Sequence, residues 1–77
     1  MSQQERIVSI VQKIAKKEIH PDADESLFDA GYLDSFALPD MITALEQEFG
    51  IEVPDSDLNP RKFESIARIE TYLNSRL

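Results

Sequence analysis

Apolar residues along this chain recur at intervals of three and four rather than two, and the recurrence falls into three blocks separated by proline, glycine and short acidic stretches. In the first block Ile7, Ile10, Val11 and Ile14 share one face, with Val8 and Ala15 beside it, and Ser2-Gln3-Gln4-Glu5 ahead of them matches a capping box. This predicts a helix ending near Glu18, stopped by His20-Pro21 because proline disfavours a helical conformation in the residue before it. The second block starts at Leu38 and continues through Met41, Ile42, Leu45 and Phe49, a single stripe closed by Gly50. Ser35 is the expected N-cap of this helix, which places Pro39 at the fourth helical position, where its missing N–H would have no intrahelical partner. The third block sets Ile66, Ile69 and Leu73 on one face, flanked by Ala67 and Tyr72, begins at a Ser65 cap and frays after Asn74. Just before it, Asn59-Pro60 pairs an N-cap with a proline at the first helical position, the mark of a separate single-turn helix.

The connections differ in length. Roughly a dozen residues follow the first helix, at the long end for a compact domain, and within them Leu27 and Phe28 are apolar enough to dock on the core while Gly31 permits a positive φ. Ile51-Glu52-Val53-Pro54 reads as an extended connection with two inward aliphatics, followed by a polar Asp55-Ser56-Asp57 turn. With no alternating period long enough for a sheet, the expected fold is an all-α bundle of three principal helices plus a short one, in a single domain over residues 1–77.

Composition narrows the function. A domain of 77 residues buries only about 60% of the surface its unfolded chain exposes, so a large ligand cavity is not expected. Fifteen acidic against eight basic residues leave a net charge of −7, which disfavours nucleic acid and anionic membrane surfaces and favours basic protein partners. The chain has no cysteine, which removes disulfides, a thiolate nucleophile and sulfur-based zinc sites; any thiol chemistry must be imported. There is no signal-like apolar segment at the start and no run approaching the roughly 20 residues of a membrane span, so the expected setting is the cytoplasm, without membrane insertion, as a monomer.

Most candidate sites fail on chemistry. Asp22, Asp24 and Ser26 occupy positions one, three and five of a possible calcium loop, but Leu27 stands where the loop needs glycine and Leu33 where it needs a bidentate glutamate. His20, the only histidine, precedes a proline at a helix end, where a helix cap or plain surface residue is expected rather than a member of a Ser-His-Asp triad. Glycine-rich phosphate loops and metal-ligand spacings are absent, so no metal site and no independent catalysis are expected. What remains is Ser35 in Gly31-Tyr32-Leu33-Asp34-Ser35-Phe36: a hydroxyl at a helix N-terminus, where unpaired backbone N–H groups suit a phosphate ester as well as a cap.

That run, together with the long acidic loop before it, the acidic second helix after it and Leu58-Asn59-Pro60-Arg61-Lys62-Phe63-Glu64-Ser65-Ile66, resembles an acyl carrier protein over nearly the whole chain. The resemblance implies that Ser35 is esterified with 4′-phosphopantetheine, transferred from coenzyme A by a separate phosphopantetheinyl transferase. The arm would hold acyl or aminoacyl cargo as a thioester, in a protein that is not itself an enzyme. It implies partner recognition at Asp34, Phe36, Asp40, Met41 and Glu46, met by basic patches on the transferase, on a loading ligase and on downstream enzymes. It also allows a gap for an acyl chain lined by Ile42, Leu45, Val53, Phe63 and Ile66, although in so small a domain these residues are expected to pack as core. Leu33 and Phe36 around the Asp-Ser pair, and Ala37 and Gln47 where fatty-acid carriers commonly have acids, look more like D-alanyl, aminoacyl or specialised-metabolism carriers. The alternative without the resemblance is an unmodified acidic helical interaction domain in which Ser35 only caps.

Overall fold

The computed structural model describes residues 2–77, with Ser35 described by its backbone alone. Three α-helices, α1 (Gln3–Ala15), α2 (Leu38–Phe49) and α3 (Ile66–Arg76), are supplemented by 3-10 turns at Ser35–Ala37, Asp55–Asp57 and Pro60–Phe63, and the described residues contain no strand. Helix α1 packs against both α2 and α3. Contacts between the start of α1 and the ends of the other two set their directions: Arg6 reaches Glu48 of α2, and Gln3 Nε2 donates to Asn74 Oδ1 of α3 at 3.2 Å. Both α2 and α3 therefore run against α1, and α2 begins at the end of the bundle where α1 finishes.

The caps follow the sequence at most boundaries. Ser2 Oγ accepts from Glu5 N–H at 3.1 Å, Asn59 Oδ1 from Arg61 N–H at 2.9 Å, and Ser65 Oγ from Arg68 N–H at 3.2 Å. Gly50 ends α2 at φ 65°, where its N–H donates to Glu46 O. The short helix expected at Asn59-Pro60 is the 3-10 turn Pro60–Phe63.

Two boundaries differ. Helix α1 stops at Ala15, before the expected end near Glu18, because Lys16 takes the left-handed conformation at φ 60° and closes the helix with an N–H bond to Gln12 O. The early turn lets Ile19 enter the core at 7% exposure, where Gln12 Nε2 donates to its carbonyl at 2.7 Å. Burial of one more isoleucine outweighs a strained lysine backbone. His20 is consequently a surface residue beyond the cap, with Nε2 3.5 Å from a Glu18 carboxylate oxygen. At the second boundary α2 begins at Leu38 rather than after Ser35, with Ala37 as N-cap and Pro39 at its second position.

The core joins Ile7 and Val11 of α1, Met41 and Leu45 of α2, and Ile66, Ile69 and Leu73 of α3, all 0–1% exposed. Leu27 and Phe63 close it from the connections. The long loop is tied down by its backbone: Leu27 N–H donates to Glu64 O at 2.7 Å, and Ala67 N–H to Ala23 O at 2.8 Å. These two bonds to the α3 approach, with others inside the loop such as Glu25 N–H to Asp22 O and Ala30 N–H to Ser26 O, allow a long irregular segment to cover a small core.

Candidate functional site

Gly31 sets the approach to the Asp34-Ser35 pair. At φ 81° it bends the chain so that the N–H groups of Tyr32 and Leu33 both donate to Leu27 O, at 3.0 and 3.1 Å. Leu33 is thereby buried at 6% exposure and the next residue, Asp34, steps out to the surface. Leu33 is therefore a core anchor, a role its position before Asp34 gave no periodic signal for.

Asp34 holds the turn that follows. Its Oδ1 accepts from Ala37 N–H at 3.1 Å and its main-chain oxygen accepts from the same N–H at 3.0 Å. The expected capping role of Ser35 thus belongs to Asp34: the Ser35 backbone lies inside the turn Ser35–Ala37, and α2 starts three residues later with no side-chain cap bond of its own. The physical reason is Pro39: a helix capped at Ser35 would take its first intrahelical bond from the N–H of residue 39, which proline lacks. The expectation that Pro39 suits that start is thus corrected, and α2 starts at Leu38, with Pro39 at its second position, where no N–H is needed. The Ser35 side chain lies outside the described residues.

The surroundings are exposed, acidic and apolar at once. Phe36 is 88% exposed, a large aromatic placed in solvent beside the turn. Asp34 and Asp40 are exposed, and Asp40 lies in the first turn of α2, where the helix dipole favours negative charge. Glu46 is half-buried and its Oε2 accepts from Val53 N–H at 2.9 Å, so it pins the segment after α2 to the helix. Met41 is fully buried, which assigns it to the core rather than to a surface that a partner could touch. Leu38, Pro39 and Ile42 of α2 line an open groove with Val53 and Leu58 from the segment after the helix, and Glu46 and Asp55 are among the lining residues.

The five residues considered for an acyl gap are all core. Leu45 and Phe63 are 0% exposed, Ile66 1%, Ile42 5% and Val53 9%. Only Ile42 and Val53 also reach the groove. His20 instead lines a different recess with Gln12, Pro21 and Ile66. Among the described residues no group of three His, Cys, Asp or Glu side chains could hold a metal ion, and no helix is long and apolar enough to cross a membrane.

One polar cluster escaped the sequence reading. Tyr72 Oη donates to Asp57 Oδ2 at 2.8 Å, Lys62 Nζ lies 3.1 Å from Asp57 Oδ1, and the Tyr72 ring meets Phe63 edge-on at 5.0 Å between centroids. The Tyr72 hydroxyl, and after it Lys62, holds the Asp57 carboxyl below the usual carboxylate range, while burial and then Asp57 push the Tyr72 hydroxyl up. The available signal was Tyr72 itself: a tyrosine flanking a buried face needs a hydroxyl partner.

Comparison with known proteins agrees with this geometry. Residues 5–73 match the family model described as a phosphopantetheine attachment site. Curated relatives include the D-alanyl carrier proteins of Streptococcus pyogenes serotypes M5 (strain Manfredo), M49 (strain NZ131) and M1, each 32% identical over 69 residues that cover 90% of this chain and 87% of the relative. The acidic turn before α2, the helical bundle around it and these matches together make the chain a member of the acyl carrier protein family, a non-catalytic carrier of acyl or aminoacyl cargo on a covalently attached 4′-phosphopantetheine arm.

Proposed function

We propose that Ser35 bears the arm and that the cargo is a small aminoacyl group, as the name of the D-alanyl carrier relatives suggests. The observation that carries the attachment site is the position of Ser35 in a turn braced by Asp34, between two exposed residues, at the N-terminal end of α2. The residues fit the group: the N-cap of α2 is Ala37, whose side chain cannot bond the free N–H groups of the first turn, and the partial positive charge there favours a phosphodiester attached just ahead of it. When bound, the arm supplies the thiol that this cysteine-free chain lacks. The protein's own residues supply the anchor, a rigid base and a recognisable surface around it.

A small cargo suits the packed interior. Ile42, Leu45, Val53, Phe63 and Ile66 fill the space an acyl chain would need, so the cargo stays outside the bundle, displayed on the tether to whichever enzyme has docked. Docking enzymes include the phosphopantetheinyl transferase, a loading ligase and the enzyme that receives the cargo, and the expected setting is the cytoplasm. Asp34, Asp40 and Glu46 favour basic faces on them, and Phe36 is an apolar anchor beside the attachment residue. Such contacts give rapid encounter and rapid release, which a shuttle requires.

The test is intact mass after incubation of the chain with coenzyme A and a broad-specificity phosphopantetheinyl transferase. Wild type gains one phosphopantetheine and Ser35→Ala gains none; modification of Ser35→Ala would move the site elsewhere. Loading by a D-alanine-activating ligase then tests the cargo, and transfer of fatty acyl groups in preference to D-alanine would overturn the aminoacyl reading.

A further inference from the structure

The loop after α2 inverts the usual placement of its residues. Asp57 turns inward, with its side chain only 22% exposed, whereas its neighbour Leu58 is turned outward at 44%. Hydrophobic burial alone would favour the opposite arrangement. What maintains it is a set of polar ties. Asp57 Oδ2 accepts from Tyr72 Oη of α3 at 2.8 Å, and Lys62 Nζ is 3.1 Å from its other oxygen and 5.7 Å from the Tyr72 ring centroid. Backbone bonds from Asp57 N–H to Pro54 O, Leu58 N–H to Asp55 O and Asn59 N–H to Asp57 O leave the segment little freedom to roll. Leu58 consequently lines the same groove as Leu38 and Pro39, the first two residues of α2, which directly follow the turn that contains Ser35.

We infer that Asp57 and Tyr72 are positioning residues whose hydrogen bond holds Leu58 outward as a second apolar anchor, besides Phe36, for the phosphopantetheinyl transferase. This rests on Ser35 as the attachment residue, since only then must the transferase cover the turn and the groove that continues from it. The lining of the groove specifies the face it meets: an apolar centre for Leu38, Pro39 and Leu58, with cations opposite Glu46 and Asp55.

The experiment is steady-state kinetics of arm transfer from coenzyme A onto Tyr72→Phe, Leu58→Ala, the double variant and Asp57→Asn, with thermal melts of each. Tyr72→Phe keeps the ring against Phe63 and removes only the hydroxyl. It raises the KM for the carrier by roughly five-fold, as loss of one interface contact would, and leaves kcat unchanged. Leu58→Ala raises KM equally without lowering the melting temperature, and the double variant is no worse than Leu58→Ala because Tyr72 acts through Leu58. Asp57→Asn, which keeps an acceptor for Tyr72, stays near the wild-type KM. An unchanged KM for Leu58→Ala overturns the proposal even if Tyr72→Phe fails to fold, and so do KM effects that multiply in the double variant. Failure of the Ser35 reading shows differently, as arm transfer to Ser35→Ala.

Discussion

Asp34 takes the capping role that the sequence assigns to Ser35: it braces the turn, and it also places a charge beside the proposed attachment residue. The bond to Ala37 N–H is made by Asp34, so the proposed esterification of Ser35 leaves that brace in place. Asp34→Ala should lower stability by about 1 kcal/mol, the usual value of a lost cap, whereas Asp34→Asn should hold stability within a few tenths because asparagine caps as well; urea titrations of the two distinguish these effects. Phe36→Ser should leave the urea midpoint unchanged, since a residue 88% exposed loses almost no buried surface, while slowing arm transfer at low carrier concentration. At this scale the sequence was informative about which residues matter and less so about which does what. The local pattern makes Ser35 a good cap, but Pro39 shifts the helix start by two residues, and that choice depends on where Leu33 and Leu38 find room in the core.

At the scale of elements, the joints between helices carry as much of the design as the helices. Arg6 of α1 ties down the end of α2: its Nε lies 2.7 Å from Glu48 Oε2, an Nη donates to Glu48 O at 2.9 Å, and its guanidinium lies 4.4 Å from the Phe49 ring centroid. Arg6→Lys keeps the charge but loses the fork and the stacking, and should cost about 1 kcal/mol in chemical denaturation, at the upper end for a partly exposed pair. Lys16 is the opposite case, a non-glycine residue at φ 60°. Lys16→Gly should raise the melting temperature, because relief of roughly 1 kcal/mol of left-handed strain exceeds the added entropy of the unfolded chain; a lower melting temperature would mean that the Lys16 side chain has a stabilising role. The helix blocks themselves were legible from Leu38, Met41, Ile42, Leu45 and Phe49 or from Ile66, Ile69 and Leu73, because a stripe repeated over several turns leaves little choice. The end of α1 was not legible, because Ile19 lies beyond the stripe and its burial is rewarded only once α1, the loop and α3 are assembled.

Across the whole molecule, the cluster of Asp57, Tyr72 and Lys62 joins the loop after α2 to α3 and gives the fold a defined pH response. Asp57 has a folded-state pKa below its unfolded value, so its contribution is present above about pH 3.9 and is lost as pH falls through the folded value. Tyr72 has a folded-state pKa above its unfolded value, so its contribution is present below about pH 10 and is lost as pH rises through the folded value. The difference in melting temperature between wild type and Tyr72→Phe should therefore be level through neutral pH and shrink at both extremes; a difference independent of pH would mean that the hydroxyl contributes packing alone. The charge of −7 lies on the same small body, and it is tolerated because α2 presents its acids at the surface while its apolar stripe faces inward.

The sequence by itself determined the helix count, the stripes that face the core and most caps, because each follows from interactions among residues a few positions apart, and it also singled out Ser35 as the proposed attachment residue. Tertiary structure decided the end of α1, the burial of Leu33, the transfer of the cap to Asp34 and the outward turn of Leu58. Each of those depends on a competition for space in one core between segments distant in sequence: Ile19 against the continuation of α1, Leu33 just ahead of the Ser35–Ala37 turn, Tyr72 reaching back to Asp57. Local spacing says which residues are apolar; only the assembled bundle says which of them fit.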